Sequence, residues 1–313
     1  MARPKSISVL IEWENAIVAD PTRAIRMLER IGHDIKEIGP DYFTDVEIIS
    51  GFDPTGIGLE AVEKMLEDRL GAVPWVTILN LSLSGKDYYE IRNECAEQSR
   101  GEIVLLLDSD VIPAPGWLIK LIEAFEDSEV QICASAVHLA NGSLLEKTLA
   151  LIWVFELPSA EIGIKKTGSI LVNSVAYRRE VLLRFPFPSS GGTARASCAA
   201  HVRELRAAGI PMHRRMDAHV EHPAPVGVGK FVERALARGR DKVLGSPKPF
   251  WKNVGFDVKR GLGLIAKRRA DARVRLVDVP AVLFIATAWW LLMVVGGVAA
   301  MIAPEQMRKR LQL

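Results

Sequence analysis

The chain has 313 residues, a formal net charge of +2 and 25 % charged residues, which gives room for one large α/β domain and an appendage. Charge this evenly balanced offers no basic field and excludes nucleic acid as an expected partner. Three cysteines (Cys95, Cys133, Cys198) are odd in number and lack metal-type spacing. This points to a reduced compartment, and the opening residues show no secretory-signal pattern.

In chain order, residues 6–11 (SISVLI) predict a first strand that runs into Glu12-Trp13-Glu14-Asn15. Residues 22–38 predict a helix with Ala24, Met27, Leu28 and Ile31 on one face. A strand over 46–49 ends near Asp53, a charged helix covers 59–70, and a strand covers 73–79. Gly85-Lys86-Asp87 opens a helix over 88–99, and a helix start beside a lysine is a good anion site.

Residues 101–117 (GEIVLLLDSDVIPAPGW) are the centre of the reading. The unbroken apolar run 103–107 suits a strand buried on both faces. It ends in Asp108-Ser109-Asp110, and Pro113, Pro115 and Gly116 then turn the chain. Two carboxylates at the carboxyl end of a buried strand lie where open α/β sheets bind ligands. Acids that close repel unless a cation lies between them, so the pattern predicts a hard divalent ion that also holds substrate phosphates.

Downstream, strands are expected at 130–137 and 168–177, a helix at 143–155, a helix at 193–208 stopped by Gly209, and a last strand at 212–220 followed by His222. From 227 the composition turns basic and amphipathic, in a form suited to a membrane surface. Residues 281–303 carry no charge, and as a helix they would span about 34 Å, enough for a hydrocarbon core of about 30 Å. The heavier basic flank on the N-terminal side predicts a single-pass inner-membrane protein with its large domain in the cytoplasm.

The Asp-Ser-Asp stretch and the strand–helix order before it resemble glycosyltransferase family 2, enzymes of the GT-A fold. The resemblance covers residues 5 to about 225. It implies a Rossmann-like mixed, mostly parallel sheet with helices on both faces, over 1–226. An amphipathic juxtamembrane segment (227–279), a transmembrane helix (280–304) and a short tail (305–313) complete the expected organisation. It also implies transfer of a sugar from a nucleotide-sugar, a UDP-sugar first, to a lipid or envelope-polysaccharide acceptor, assisted by Mg²⁺ or Mn²⁺ and with inversion.

By position in the family pattern, Asp108, Asp110 and His222 are the implied metal ligands. Glu12, Glu14, Asp53, Lys86, Asn93 and Ser109 are the implied nucleotide contacts, with Trp13 as a rival to Glu14 at the base. Asn173 and Arg195 fall in the implied acceptor pocket. The family's Glu-Asp pair, which supplies the general base, would fall on Ser197-Cys198, where no acid stands. Cys198 and Glu156 are the replacements considered first, with Glu161 and Glu204 also open. A catalytically impaired nucleotide-sugar-binding membrane protein is the alternative reading.

Overall fold

The computed structural model describes residues 5–18, 21–71, 73–140, 142–188, 194–225 and 227–310, with the backbone alone at 17–18, 194–196 and 309–310. The chain opens with β1 (Ser6–Glu12), the short helix α1 (Glu14–Val18) and α2 (Pro21–Ile38). Ala24, Met27, Leu28, Ile31 and Ile35 recur at helical spacing and form the buried face of α2. Next come β2 (Asp45–Phe52), α3 (Leu59–Leu70), β3 (Val76–Ser82), α4 (Tyr88–Gln98) and β4 (Ile103–Asp108). The strand expected at 73–79 starts three residues later. Val73 and Val76 donate backbone N–H bonds that close turns, and Pro74 between them has no N–H for a ladder.

The chain continues through β5 (Ile112–Pro113), α5 (Trp117–Glu123), β6 (Ile132–Leu139), α6 (Leu144–Ile152), β7 (Ile164–Lys166), β8 (Ser174–Arg178), α7 (Arg179–Arg184), α8 (Ala194–Ala207) and β9 (Met212–His222). Four helices follow: α9 (Gly227–Leu244), α10 (Phe250–Arg268), α11 (Val279–Ile302) and α12 (Pro304–Arg310). The strand expected at 168–177 shortens to β8. Ser169 gives its N–H to the Thr167 hydroxyl, which donates back to the Ser169 carbonyl, so a local turn precedes the strand.

Among the described residues the strands form one nine-stranded sheet in the order β3-β2-β1-β4-β8-β6-β9-β5, with β7 on β9. The β3-β2-β1-β4 half is parallel, and β8 then runs antiparallel to β4. The side chains of Val9, Leu10 and Ile11 on β1 and of Ile103 to Leu107 on β4 are almost wholly buried. Each such side chain stabilises the fold by roughly 1.5–3 kcal/mol. The parallel strands therefore end together at their carboxyl ends, where the polar residues begin.

The chain divides into two compact units. The first is Met1–Val137, Ala160–Ser189 and His201–His222. The second is His138–Ser159, Ser190–Ala200 and Pro223–Leu313. In the second, α11 packs on α9 with backbone-to-backbone closeness. A side chain added at Gly239 would strike the backbone of Met293 and Gly297, and one at Gly296 would strike that of Leu236. Trp289 fills the adjoining space, its ring 5.7 Å from that of Trp153 and 5.3 Å from that of Phe231. Among the described residues one helix, Leu276–Ile302, is long and apolar enough to cross a membrane by length and composition.

Candidate functional site

The site is built at the carboxyl ends of β1 and β4. Parallel pairing sets Glu12 directly beside Asp108, with Gly51 of β2 on the other side of Glu12. The turn after β4 places Asp110, and β5 then pairs with the end of β9, Ile112 opposite Glu221. That pairing carries His222 to the same turn. One ligand atom from each of Asp108, Asp110 and His222 lies within 4.8 Å of the others, with both aspartates buried. Two carboxylates and an imidazole are a donor set suited to Mn²⁺ or Mg²⁺. A second cluster, His33, Asp34 and Glu37, has another role: Asp34 accepts the backbone N–H groups of Gly116 and Leu118 at the start of α5.

Arg23 locks this turn. Its guanidinium donates to the Asp110 carbonyl at 2.7 Å and to both the carbonyl and the carboxylate of Glu221. It thus ties the residue before His222 to the metal turn. No local sequence signal marks Arg23, because its partners lie about 90 and 200 positions away in the chain.

Asp108 is held by donors from two directions. Tyr88 and Arg92, four residues apart on α4 and so on one face, both donate to Oδ1, the tyrosine at 2.5 Å. Asn173, beside Asp108 because β8 pairs with β4, donates to Oδ2 at 2.5 Å. The Arg92 guanidinium lies 4.3 Å from the Tyr88 ring centre and also donates to the Val172 carbonyl at 2.8 Å. Hydrogen-bonded carboxylates of this kind are what orient metal ligands, and Oδ2 keeps a lone pair for that purpose.

Glu12 completes the floor. It accepts from Asn15 through both the backbone N–H and the side-chain amide, the latter at 2.8 Å, and from the Ser109 N–H. Burial, then the neighbouring Asp108 charge, pushes its carboxyl up to about 8, against the opposing pull of Arg92. Ser109 turns its hydroxyl to the Ala16 N–H at 2.9 Å. Trp13, the rival for the nucleobase, is instead buried in the core and donates to Ser50 Oγ at 2.7 Å.

The rim is more exposed. Asp53 accepts the N–H and the hydroxyl of Thr55 and the N–H of Gly85, and these bonds hold its carboxyl below the usual range. Gly85 has φ of 73°, a left-handed turn that a side chain would strain. Glu14 is half-buried, and burial raises its carboxyl; the Asp53 backbone N–H opposes that shift. Lys86 pairs with Glu94 at 2.9 Å. Asn93 spends its amide on the backbone of Phe187, donating to the carbonyl and accepting from the N–H.

The base candidates are spread over both units. Glu156 belongs to the second, where it bridges to His138. Cys198 is half-buried on α8 in the same unit. Arg195 also stands on α8, with its side chain outside the described residues. Glu161 pairs with Lys165 at 2.7 Å, and Glu204 is exposed on α8.

Residues 84–183 match the family model described as Glycosyl transferase family 2. That segment carries Asp108, Asp110, Tyr88, Arg92 and Asn173. Among solved structures, the chain is similar to the mannosyltransferase PcManGT from Pyrobaculum calidifontis in complex with GDP-Man and Mn²⁺. The TM-score is 0.52 and the identity 16 %, over 100 % of this chain and 85 % of that one. It is also similar to GalNAc-T7 with UDP, GalNAc and Mn²⁺, with a TM-score of 0.50 and 11 % identity, over 83 % of this chain and 55 % of that one. No curated protein matches the chain by sequence. At these identities the structural likeness establishes the fold, which is GT-A.

Proposed function

We propose that the chain is a metal-assisted, inverting glycosyltransferase of the family-2 type. It transfers a sugar from a nucleoside diphosphate sugar, a UDP-sugar first and a GDP-sugar as the alternative, to a lipid or envelope-polysaccharide hydroxyl. The observation that carries this reading is the convergence of Asp108 and Asp110, which lie inside the segment matched by the family model, with His222 from the end of β9. Asp108, Asp110 and His222 would hold Mn²⁺ or Mg²⁺, which would supply positive charge to the leaving diphosphate. Tyr88, Arg92 and Asn173 hold the Asp108 carboxylate in place. Asp53 and the Gly85–Lys86 turn, joined by the Asp53–Gly85 bond, form the rim where the nucleoside and its phosphates are received.

Absence of an acid at 197–198 favours a second reading, a protein that binds a nucleotide-sugar without transferring it. Release of UDP or GDP tests both. The full chain is incubated with Mn²⁺ and UDP-glucose, UDP-N-acetylglucosamine or GDP-mannose, together with a lipid-extract acceptor. Nucleotide release abolished by Asp110→Asn supports the transferase. Binding with no release from any donor supports the second reading.

A further inference from the structure

We propose that α11 lies in the plane of an anionic membrane surface, with one apolar stripe set into a single leaflet, and does not cross the bilayer. This goes beyond the transferase reading and does not depend on it. Phe284, Leu291, Val295 and Ile302 recur at helical spacing on α11 and are 76, 62, 56 and 79 % exposed. An apolar stripe about 27 Å long, from 284 to 302, needs cover.

The opposite face of α11 decides the topology. There Val282, Ala286, Trp289, Met293 and Gly297 are buried. They close on α9, and the contacts advance together along both helices: Phe231 with Trp289, then Leu236 with Gly296 and Gly239 with Met293 and Gly297. So α9 runs beside α11 at the middle of its length. α9 carries Arg238, Arg240, Asp241 and Lys242, and the first and last of these pair with Asp257 of α10 at 2.7 and 3.0 Å. If α11 crossed a bilayer, α9 would be drawn in beside it, and the Arg238–Asp257–Lys242 cluster would lie along the second half of the span, where charged side chains are poorly tolerated. With α11 lying flat, the stripe meets lipid and the charges stay on the protein side of the helix.

Charge identifies the occupant as anionic lipid. Between Lys248 and Arg275 stand nine Lys and Arg against two Asp. On α10, Lys252, Lys259 and Lys267 are exposed beside exposed Trp251 and Phe256. Aromatic anchors among lysines are the composition of a helix at an anionic interface. A second copy docking through this region would bring like charge to like charge.

Topology reporters on the native full-length sequence test the proposal. Green fluorescent protein and alkaline phosphatase are joined in turn to each end, in a bacterial host. An in-plane helix predicts fluorescence and inactive phosphatase at both ends, with the chain in the membrane fraction. Active phosphatase at the C-terminal end alone, or a chain found in the soluble fraction, would overturn it. Flotation of the purified chain is the second arm. Vesicles containing about one third phosphatidylglycerol should carry at least about tenfold more protein than phosphatidylcholine vesicles, and Leu291→Glu with Val295→Glu should abolish the difference. A chain that ignores both vesicles and forms a dimer split by the same variant would mean that a second copy covers the stripe, which contradicts the proposal.

Discussion

Asp108 ends β4 and Asp53 follows β2, two parallel strands with β1 between them, and the chain treats the two acids differently. Asp108 is buried, and its carboxylate is met by an arginine and a tyrosine from the preceding helix α4 and by an asparagine just before β8. Asp53 is only half-buried and is satisfied by a neighbouring threonine and the Gly85 N–H. Where water is excluded, the fold must supply a cation and side-chain donors. Where water remains, local backbone geometry is enough.

The sharpest way to break this contrast is Arg92→Ala. It leaves Asp108 and Glu12 buried without their cation, and removal of one partner from such a pair costs about 3–5 kcal/mol. Denaturant unfolding should show a loss of that order. A loss under about 1 kcal/mol would mean that the carboxylates take up protons or water without cost.

Glu12 gives the next largest effect. Its folded pKa, about 8, lies above its unfolded value, so the folded protein binds the extra proton between the two. Its contribution is therefore fully present at acid pH and is lost as pH rises through about 8. In the presence of a chelator, the wild type should lose stability relative to Glu12→Gln between pH 5 and 8, by a few kcal/mol as an order of magnitude. Parallel pH curves for the two proteins would show that Glu12 is ionised in the fold.

On the rim the effects shrink. Asp87 caps α4, accepting from the Tyr89 and Glu90 N–H groups, while Glu90 accepts from the Asp87 N–H. Asp87→Ala should cost about 1 kcal/mol in denaturant unfolding. Asp53→Asn should leave the unfolding midpoint where it is and instead hasten proteolytic cleavage near Gly85, because the bond joining the two loops weakens. A large midpoint shift from Asp53→Asn would erase the distinction between floor and rim.

The parts of the fold visible in the sequence were those with local causes. The apolar run of β4, the repeat along α2 and the charged helix α3 each carry their own periodicity, and α3 occupies the expected 59–70. The Asp-Ser-Asp turn was legible because a buried strand and a Pro/Gly turn bracket it. His222 is harder to read: its approach to Asp110 depends on the two-residue strand β5 pairing with β9, and two residues leave no periodic trace. Arg23 and Tyr88 were invisible for the same reason, since their partners are set by tertiary pairing. Asn93 was legible as a polar residue on α4, but the backbone it fastens lies 94 positions away.

The measurement that tests the central claim most directly is calorimetric titration of the full chain with UDP and with GDP, with and without Mn²⁺, repeated on Asp110→Asn. The account predicts binding of one nucleotide that requires Mn²⁺ and weakens by at least about tenfold in the variant, a loss of about 1.4 kcal/mol. Absence of binding under every condition, or binding indifferent to both Mn²⁺ and Asp110, would contradict the assignment of Asp108, Asp110 and His222 as the seat of a metal–diphosphate site.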